Sequence, residues 1–177
     1  MNFNSQGNPN LKPSDNYNLD LKWDFNPTPT ELISLTAFYK LIKNPISRIE
    51  VASAGGYLSY ENIADKATVA GVEIEIRKNL FVRPLSSAAN GMNKLSFGLN
   101  GSYIYTNAKM PLATVTTGSQ LEGAAPWIAN FDLSHNFTKG NHSFINTLVL
   151  NYVSDKIYTI GTQGYQDIME QGMMTLD

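Results

Sequence analysis

The chain has 177 residues, enough for one domain with a sizeable core, and carries 13 Lys and Arg against 15 Asp and Glu. This near-neutral balance, without a basic stripe, excludes the electrostatic footprint of a nucleic-acid-binding protein. Only 16% of the residues are charged, against about 25% in soluble domains, and polar uncharged and aromatic residues fill the difference. A wall with one face in lipid and the other in water has this composition, and so does a secreted β-sandwich.

Three further absences narrow the class of protein. There is no cysteine, which excludes a disulfide framework, a thiolate metal site and a cysteine nucleophile. No apolar run approaches the roughly 20 residues that a membrane helix needs. The stretch Met1–Gly7 lacks the charged and apolar regions of a signal peptide. For an outer-membrane protein we therefore expect residues 1–177 to be a fragment of a longer chain.

Alternation of apolar and polar residues with a period of two predicts β-strands along most of the chain. In the first strand, five apolar residues alternate with five polar ones between Asn16 and Phe25. The segment 26–30 contains two prolines, which end the strand because they fix φ and remove backbone donors. The same pattern predicts further strands over 31–44, 57–79 (bent near Asp65), 95–106, 127–137 and 142–159, with a seventh starting at Asp177.

The predicted strands and their connections have the proportions of a membrane barrel. The strands run about 10 to 20 residues, against about 5 or 6 in globular proteins and about 9 to 11 for a tilted membrane strand. Short turns alternate with long loops, as in outer-membrane barrels. The short turns are 26–31 and 138–141, and the long loops are 45–56, 107–125 and 160–171; the 80–94 connection is longer than its place on the short side predicts. We predict an all-β antiparallel meander of about seven long strands.

The two strand faces differ in the way that a wide barrel requires. Glu73 and Glu75 alternate with Val72, Ile74 and Ile76, which predicts carboxylates in a wet lumen and aliphatic side chains against lipid. Aromatic residues near strand ends predict interfacial girdles; they are Tyr17, Trp23, Phe25, Tyr103, Tyr105 and Trp127. A soluble all-β repeat or sandwich remains the alternative.

The titratable residues predict no catalytic or metal site. His135 and His142 fall on neighbouring predicted strands, but no third metal ligand accompanies them, which favours surface or girdle histidines. Glu73 and Glu75 lie about 7 Å apart on one strand face, where solvation in a lumen is favoured over acid–base chemistry. No nucleophile elbow or phosphate-binding glycine loop occurs. We predict no enzyme activity and no cofactor, and we name no site residue.

The long loops are the expected ligand contacts. Loops 107–125 and 160–171 contain Thr, Gln and Tyr, which suit a polar ligand.

Five short motifs, in order along the chain, resemble the barrel of TonB-dependent outer-membrane receptors of the Bacteroidota type. They are Gly7–Ser14 followed by Asn16–Leu21, Phe38–Ile46, Gly71–Glu75, Pro126–Asn130, and Glu170-Gln171 before Leu176-Asp177. Each motif is weak alone, but their common order across nearly the whole chain is specific.

The resemblance implies a 22-stranded transmembrane β-barrel around an N-terminal plug, of which this chain supplies about seven strands. The plug, the TonB-contacting segment and the last strands would lie outside residues 1–177. The implied activity is import across the bacterial outer membrane, energised by TonB, of a bulky nutrient such as a siderophore, cobalamin, an oligosaccharide or a peptide. The implied partners are outer-membrane lipid, TonB acting through the plug, and an extracellular ligand. A surface barrel or secreted β-sandwich acting as an adhesin or carbohydrate-binding module is the alternative.

Overall fold

The computed structural model describes residues 4–51, 57–85, 91–110, 120–162 and 164–177. Every regular element in these ranges is a β-strand, and they contain no helix long and apolar enough to cross a membrane. The strands are β1 (Asn4–Ser5), β2 (Asp15–Phe25), β3 (Leu32–Lys43), β4 (Ile46–Val51), β5 (Tyr57–Asn62), β6 (Lys66–Leu85), β7 (Gly91–Ala108), β8 (Trp127–Lys139), β9 (His142–Val153), β10 (Lys156–Thr159), β11 (Ile168–Glu170) and β12 (Met173–Leu176).

Seven strands form one sheet whose neighbours follow the order of the chain. The order is β2, β3, β6, β7, β8, β9 and β12, and each pairing is antiparallel. The remaining strands form two small sheets, β1-β5-β4 and β10-β11. This confirms the predicted all-β meander of about seven long strands. The sheet is open, with β2 and β12 as its edges, in agreement with a segment of a larger barrel.

The connections divide between the two ends of the sheet. At the turn end, β2 joins β3 through residues 26–31, and β8 joins β9 through the pair Gly140-Asn141. Gly140 has φ of 59°, a left-handed conformation that glycine adopts without steric cost. At the loop end the connections are long: residues 44–65, 109–126 and 154–172. The predicted alternation of turns and loops is therefore confirmed.

The predicted third strand, 57–79, is wrong in its bounds. It divides into β5 and β6 at residues 63–65, and β5 pairs with β4, which lies within the predicted loop 45–56. Ile63 and Ala64 are buried where the chain turns. The turn agrees with the bend predicted near Asp65, but the sequence did not predict that β5 and β6 join different sheets.

Two other predicted bounds differ from the structure. The predicted strand 142–159 is broken after Val153, where the Ser154 hydroxyl, in place of a backbone oxygen, accepts a hydrogen bond from the Trp127 backbone N–H at 3.0 Å. The predicted connection over 80–94 is also wrong, because β6 continues through Pro84 to Leu85. Beyond Arg77, β6 has a strand neighbour on one side only, where a proline is tolerated.

The two faces of the sheet carry different residues. On the apolar face, register places aliphatic and aromatic side chains side by side across strands; Leu19, for example, lies opposite Tyr39, which lies opposite Ala70. Leu19 and Leu21 are 71% and 74% exposed, which is costly in water and favourable in lipid. The residues that alternate with them in sequence, such as Asp20 and Lys22, lie on the opposite, polar face.

Aromatic residues on the apolar face form a belt near each end of the sheet. The loop-end belt is Tyr17, Tyr39, Tyr103, Tyr105, Trp127 and Tyr152, and the turn-end belt is Trp23, Phe25, Phe137 and Phe144. The Tyr103 and Trp127 rings contact each other, with centroids 4.5 Å apart. Trp127 and Phe137 are ten residues apart, about 34 Å along a strand and about 26 Å along the normal at a tilt of about 40°. That span matches the lipid-facing band of an outer-membrane barrel, and these belts fulfil the predicted girdles.

The buried apolar cluster lies at the loop end, and it does not lie between two stacked sheets. It packs on the polar face of the large sheet, where Ala67 and Ala108 are 1% and 2% exposed. The other members belong to the long connections: Ile49, Ile63, Ala64, Leu121, Ile157 and Ile160. Over the described ranges the structure thus has a single-layered wall with a packed cap at one end, which differs from the core of a sandwich.

A close contact across the polar face makes Gly71 indispensable. A Cβ at Gly71 would overlap the ring of Phe38 and lie 2.5 Å from the Tyr103 backbone oxygen, which cannot move without disturbing the ladder. We expect Gly71→Ala to lower the free energy of unfolding in detergent by about 1–2 kcal/mol. Gly101→Ala is the matched control, because its Cβ would meet Ile74 at 3.7 Å, an ordinary contact. Equal urea midpoints for the two variants would contradict this account.

Candidate functional site: the loop cap and the polar face

A continuous row of polar side chains crosses the polar face through all seven strands. Strand register aligns Asp24, Ser34, Glu75, Asn100, Asn130, Asn151 and Thr175. Asn130 donates to the Asn100 side-chain oxygen at 3.5 Å, and Asn151 donates to the Thr175 hydroxyl at 3.2 Å. Glu75 also forms an ion pair with Arg77 at 2.6 Å. Such a surface requires contact with water or with another polar surface.

Above this row, the long connections form a compact unit that we name the loop cap. It comprises residues 44–51, 57–65, 120–126, 154–162 and 164–172. The cap covers the loop end of the polar face. There the apolar side chains of Ile42 and Val69 pack against the buried apolar cluster. Its anchor to the wall is Thr106, whose hydroxyl accepts a hydrogen bond from the Leu121 backbone N–H at 3.0 Å.

Arg48 and Glu122 join two connections of the loop cap that are 74 residues apart. The Glu122 carboxylate accepts hydrogen bonds from the Arg48 backbone N–H at 2.5 Å, from Nε at 3.1 Å and from Nη2 at 2.8 Å. The Arg48 guanidinium also lies 4.1 Å from the centroid of the Tyr158 ring, in the third connection. One arginine therefore contacts all three long connections.

The environment of Arg48 favours its charged form. Burial lowers the pKa of Arg48, but the hydrogen bonds and negative charge of Glu122 outweigh burial, and the pKa is raised above its ordinary value. A group whose pKa is higher in the folded state than in the unfolded chain stabilises the fold fully at every pH below its unfolded-chain pKa. This contribution is lost only as the pH rises through the folded-state pKa. The guanidinium consequently stays charged throughout the physiological range.

Backbone pairing reinforces this link between the first and third connections. Ile49 and Ile160 form a parallel bridge, in which the Glu50 N–H donates to the Ile160 oxygen at 3.3 Å and the Ile160 N–H donates to the Arg48 oxygen at 3.1 Å. The Thr162 hydroxyl donates to the Glu50 oxygen at 2.8 Å. The loop cap is therefore held by backbone, hydrophobic and ionic contacts together.

Beside the cap lies an open cavity of about 640 Å³. It is lined by Asn8, Asn10, Lys12, Asn44, Glu61, Asn62, Ile63, Ala64, Asp65, Lys109 and Met110. The lining is dominated by amide and charged groups, which suits a hydrophilic ligand.

The amides of this cavity hold its walls together. Asn62 accepts a hydrogen bond from the Lys12 N–H at 2.8 Å and donates to the Lys12 and Asn44 oxygens at 3.0 and 2.9 Å. Within the described ranges, no ion pair engages the side chains of Lys12, Lys109, Glu61 or Asp65.

The titratable residues singled out from the sequence lie far from this cavity. His135 is on the apolar face near the turn end, and its Nε2 lies 2.8 Å from the Asn93 side-chain oxygen. His142 starts β9 opposite Lys139, four register positions from the partner of His135. Among the described residues no group of three or more His, Cys, Asp or Glu is placed to hold a metal ion.

Glu73 and Glu75 lie on the polar face, opposite Ser102 and Asn100 of β7. Their carboxylates therefore belong to the polar row and its neighbour, at a distance from the cavity.

The two loops that were expected to contact the ligand differ in what they supply to the cavity and to the loop cap. Residues 111–119 and 163 lie outside the described residues. From loop 107–125, Lys109 and Met110 line the cavity, while residues 121–123 join the cap. Loop 160–171 supplies Ile160 and Thr162 to the cap.

Most of the cavity was missed by sequence reasoning. It is formed by the 44–65 connection and by residues 8–12. The one available signal was the high content of Asn and Lys in Asn8-Pro9-Asn10-Leu11-Lys12. A search for strands by period-two alternation does not detect such a polar segment.

A single-layered wall with aromatic belts, an apolar face toward lipid, a polar face toward a lumen and long structured loops at one end defines a transmembrane β-barrel of the bacterial outer membrane. The model of the TonB-dependent receptor-like β-barrel family matches residues 1–171, and the chain belongs to this family. Members of the family are outer-membrane receptors and transporters and are not enzymes. No match was found among curated proteins or among solved structures.

Proposed function

We propose that this chain is the barrel segment of a receptor that imports a bulky, hydrophilic nutrient with energy from TonB. The observation that carries the proposal is the loop cap, a packed and ion-paired structure set over the polar face at one end of the wall. The loop end then faces the exterior, as long loops do in outer-membrane barrels, and the turn end faces the periplasm. The polar row would face the plug, through which TonB acts.

The cavity beside the loop cap is the proposed ligand contact. Its ammonium and carboxylate groups, Lys12 and Glu61, can bind a ligand that carries charges or many hydroxyl groups. Siderophores, cobalamin, oligosaccharides and peptides all meet this description.

Uptake of labelled compounds tests the proposed activity. Cells that express the receptor containing this segment would be given a ferric siderophore, cobalamin, an oligosaccharide and a peptide mixture, each with and without functional TonB. We expect TonB-dependent accumulation of one class. Receptor-dependent surface adhesion without accumulation of any class would instead support the adhesin alternative.

A pair of substitutions tests the cavity. We expect Lys12→Ala with Glu61→Ala to weaken binding of the imported compound about tenfold, because tenfold corresponds to about 1.4 kcal/mol, within the range of a charge-assisted hydrogen bond. Lys139→Ala, at the turn end, is the control and should bind normally. Unchanged affinity in the double variant would place the ligand elsewhere.

A further inference from the structure

Three lysines lie close together on the apolar face at the loop end, outside the loop cap. Lys43, the last residue of β3, is directly opposite Lys66, the first residue of β6. Lys109 directly follows Ala108, the last residue of β7, whose partner is Ala67. Lys66 and Lys109 line one cavity of about 210 Å³ together with Thr68 and Asn107. We name Lys43, Lys66 and Lys109 the lysine patch.

The ammonium groups of the lysine patch form no ion pair within the described residues. Asp15 is the register partner of Lys43, and Asp65 lines the cavity, but neither carboxylate comes within 4 Å of an ammonium group. Lys43 lies 5.2 Å from the centroid of the Tyr17 ring, a contact that leaves its charge available. Like charges directly opposite each other in a sheet are destabilising, so an anion bound here would stabilise the wall.

The position of the patch along the membrane normal indicates which anion it can reach. Lys43 is four residues beyond Tyr39, and Lys109 is four residues beyond Tyr105, both members of the loop-end belt. Four residues of tilted strand correspond to about 10 Å along the membrane normal. Tyrosine belts mark the boundary of the hydrocarbon layer, so the ammonium groups reach the level of the lipid headgroups. Lys43 and Lys66 belong to internal strands and lie on the apolar face of the sheet, and Lys109 follows β7 and lines a cavity beside Lys66.

We propose that the lysine patch binds the phosphate groups of the lipid that surrounds the loop end. Lysine ammonium groups bind phosphate as compact point charges. The cavity between Lys66 and Lys109 adds the Thr68 hydroxyl and the Asn107 amide as hydrogen-bonding groups. A phosphorylated lipid of the outer leaflet is the occupant, held with its acyl chains along the apolar face and its phosphates in the patch.

The test compares two variants that lose the same charge at opposite ends of the wall. The patch variant is Lys43→Ser, Lys66→Ser, Lys109→Ser, and the control is Lys78→Ser, Arg83→Ser, Lys139→Ser at the turn end. The receptor containing this segment is purified in detergent, and binding of diphosphorylated lipid A, its dephosphorylated form and inorganic phosphate is measured by native mass spectrometry. We expect the patch variant to bind lipid A at least about tenfold more weakly, while the control binds as the parent does.

Each other outcome overturns the proposal. Equal lipid A affinity of patch variant and parent, or equal binding of the dephosphorylated lipid by the parent, would exclude phosphate recognition by these lysines. Lysine-dependent binding of inorganic phosphate as tight as that of lipid A would indicate a site for a soluble anion. If the patch variant does not fold, the triple lysine-to-arginine variant keeps the charge and should bind lipid A, whereas Lys66→Ser alone should bind less. Uptake is not a readout here, so this result is independent of the proposed transport activity.

Discussion

Replacing Leu148 with arginine is expected to lower the free energy of unfolding in a bilayer by about 2–4 kcal/mol, the cost of a cation at the midplane of a lipid-facing barrel wall. Leu148 is 46% exposed on the apolar face and lies opposite Leu133. Along β9 it lies midway between Tyr152 of the loop-end belt and Phe144 of the turn-end belt, four residues from each.

Thr147→Arg is the matched control, because this neighbouring residue faces the polar side. Thr147 lies opposite Ser134, so an arginine there stays in a polar environment, and we expect a change below about 1 kcal/mol. Reversible urea unfolding in lipid vesicles, followed by tryptophan fluorescence, measures both variants. Equal losses would show that Leu148 does not face lipid.

Substitution of Arg48 by methionine is expected to open the loop cap without unfolding the barrel wall. The Glu122 carboxylate would lose two of its three hydrogen bonds while remaining partly buried. We expect the free energy of cap opening to fall by about 2–3 kcal/mol, below the range for a fully buried pair because the Arg48 and Glu122 side chains are 24% and 17% exposed. Hydrogen exchange of the Glu50 and Ile160 amides, which pair across the cap, should accelerate by about 30- to 150-fold.

A second ion pair in the same cap provides the control for Arg48. Lys156 and Glu170 are 3.2 Å apart and are 29% and 52% exposed, so Lys156→Met should change exchange little, since surface pairs contribute at most about 1 kcal/mol. Amides of β8 in the wall should be unaffected in both variants. Acceleration throughout β8 would contradict the separation of cap from wall.

The wall of this protein could be predicted from local pattern alone. Strands such as β2 and β8 have lipid on one face and water on the other. Apolar and polar residues therefore alternate strictly along them, and this alternation is visible in the sequence. Register follows from the same alternation, because a slip of one residue would move every leucine of β2 to the polar face. The belts follow too, since tyrosine and tryptophan favour the interface.

The loop cap and its cavity depended on contacts between residues distant in sequence. Arg48 and Glu122 are 74 residues apart, and Ile49 meets Ile160 across 111, so no local period connects them. Residues 57–79 were predicted as one strand, yet β5 pairs with β4 outside the wall whereas β6 lies within it. Tertiary contacts decide whether an alternating segment crosses the membrane or folds back over the lumen. Here the apolar side chains of the long connections pack against the small residues Ala67 and Ala108 and are buried there.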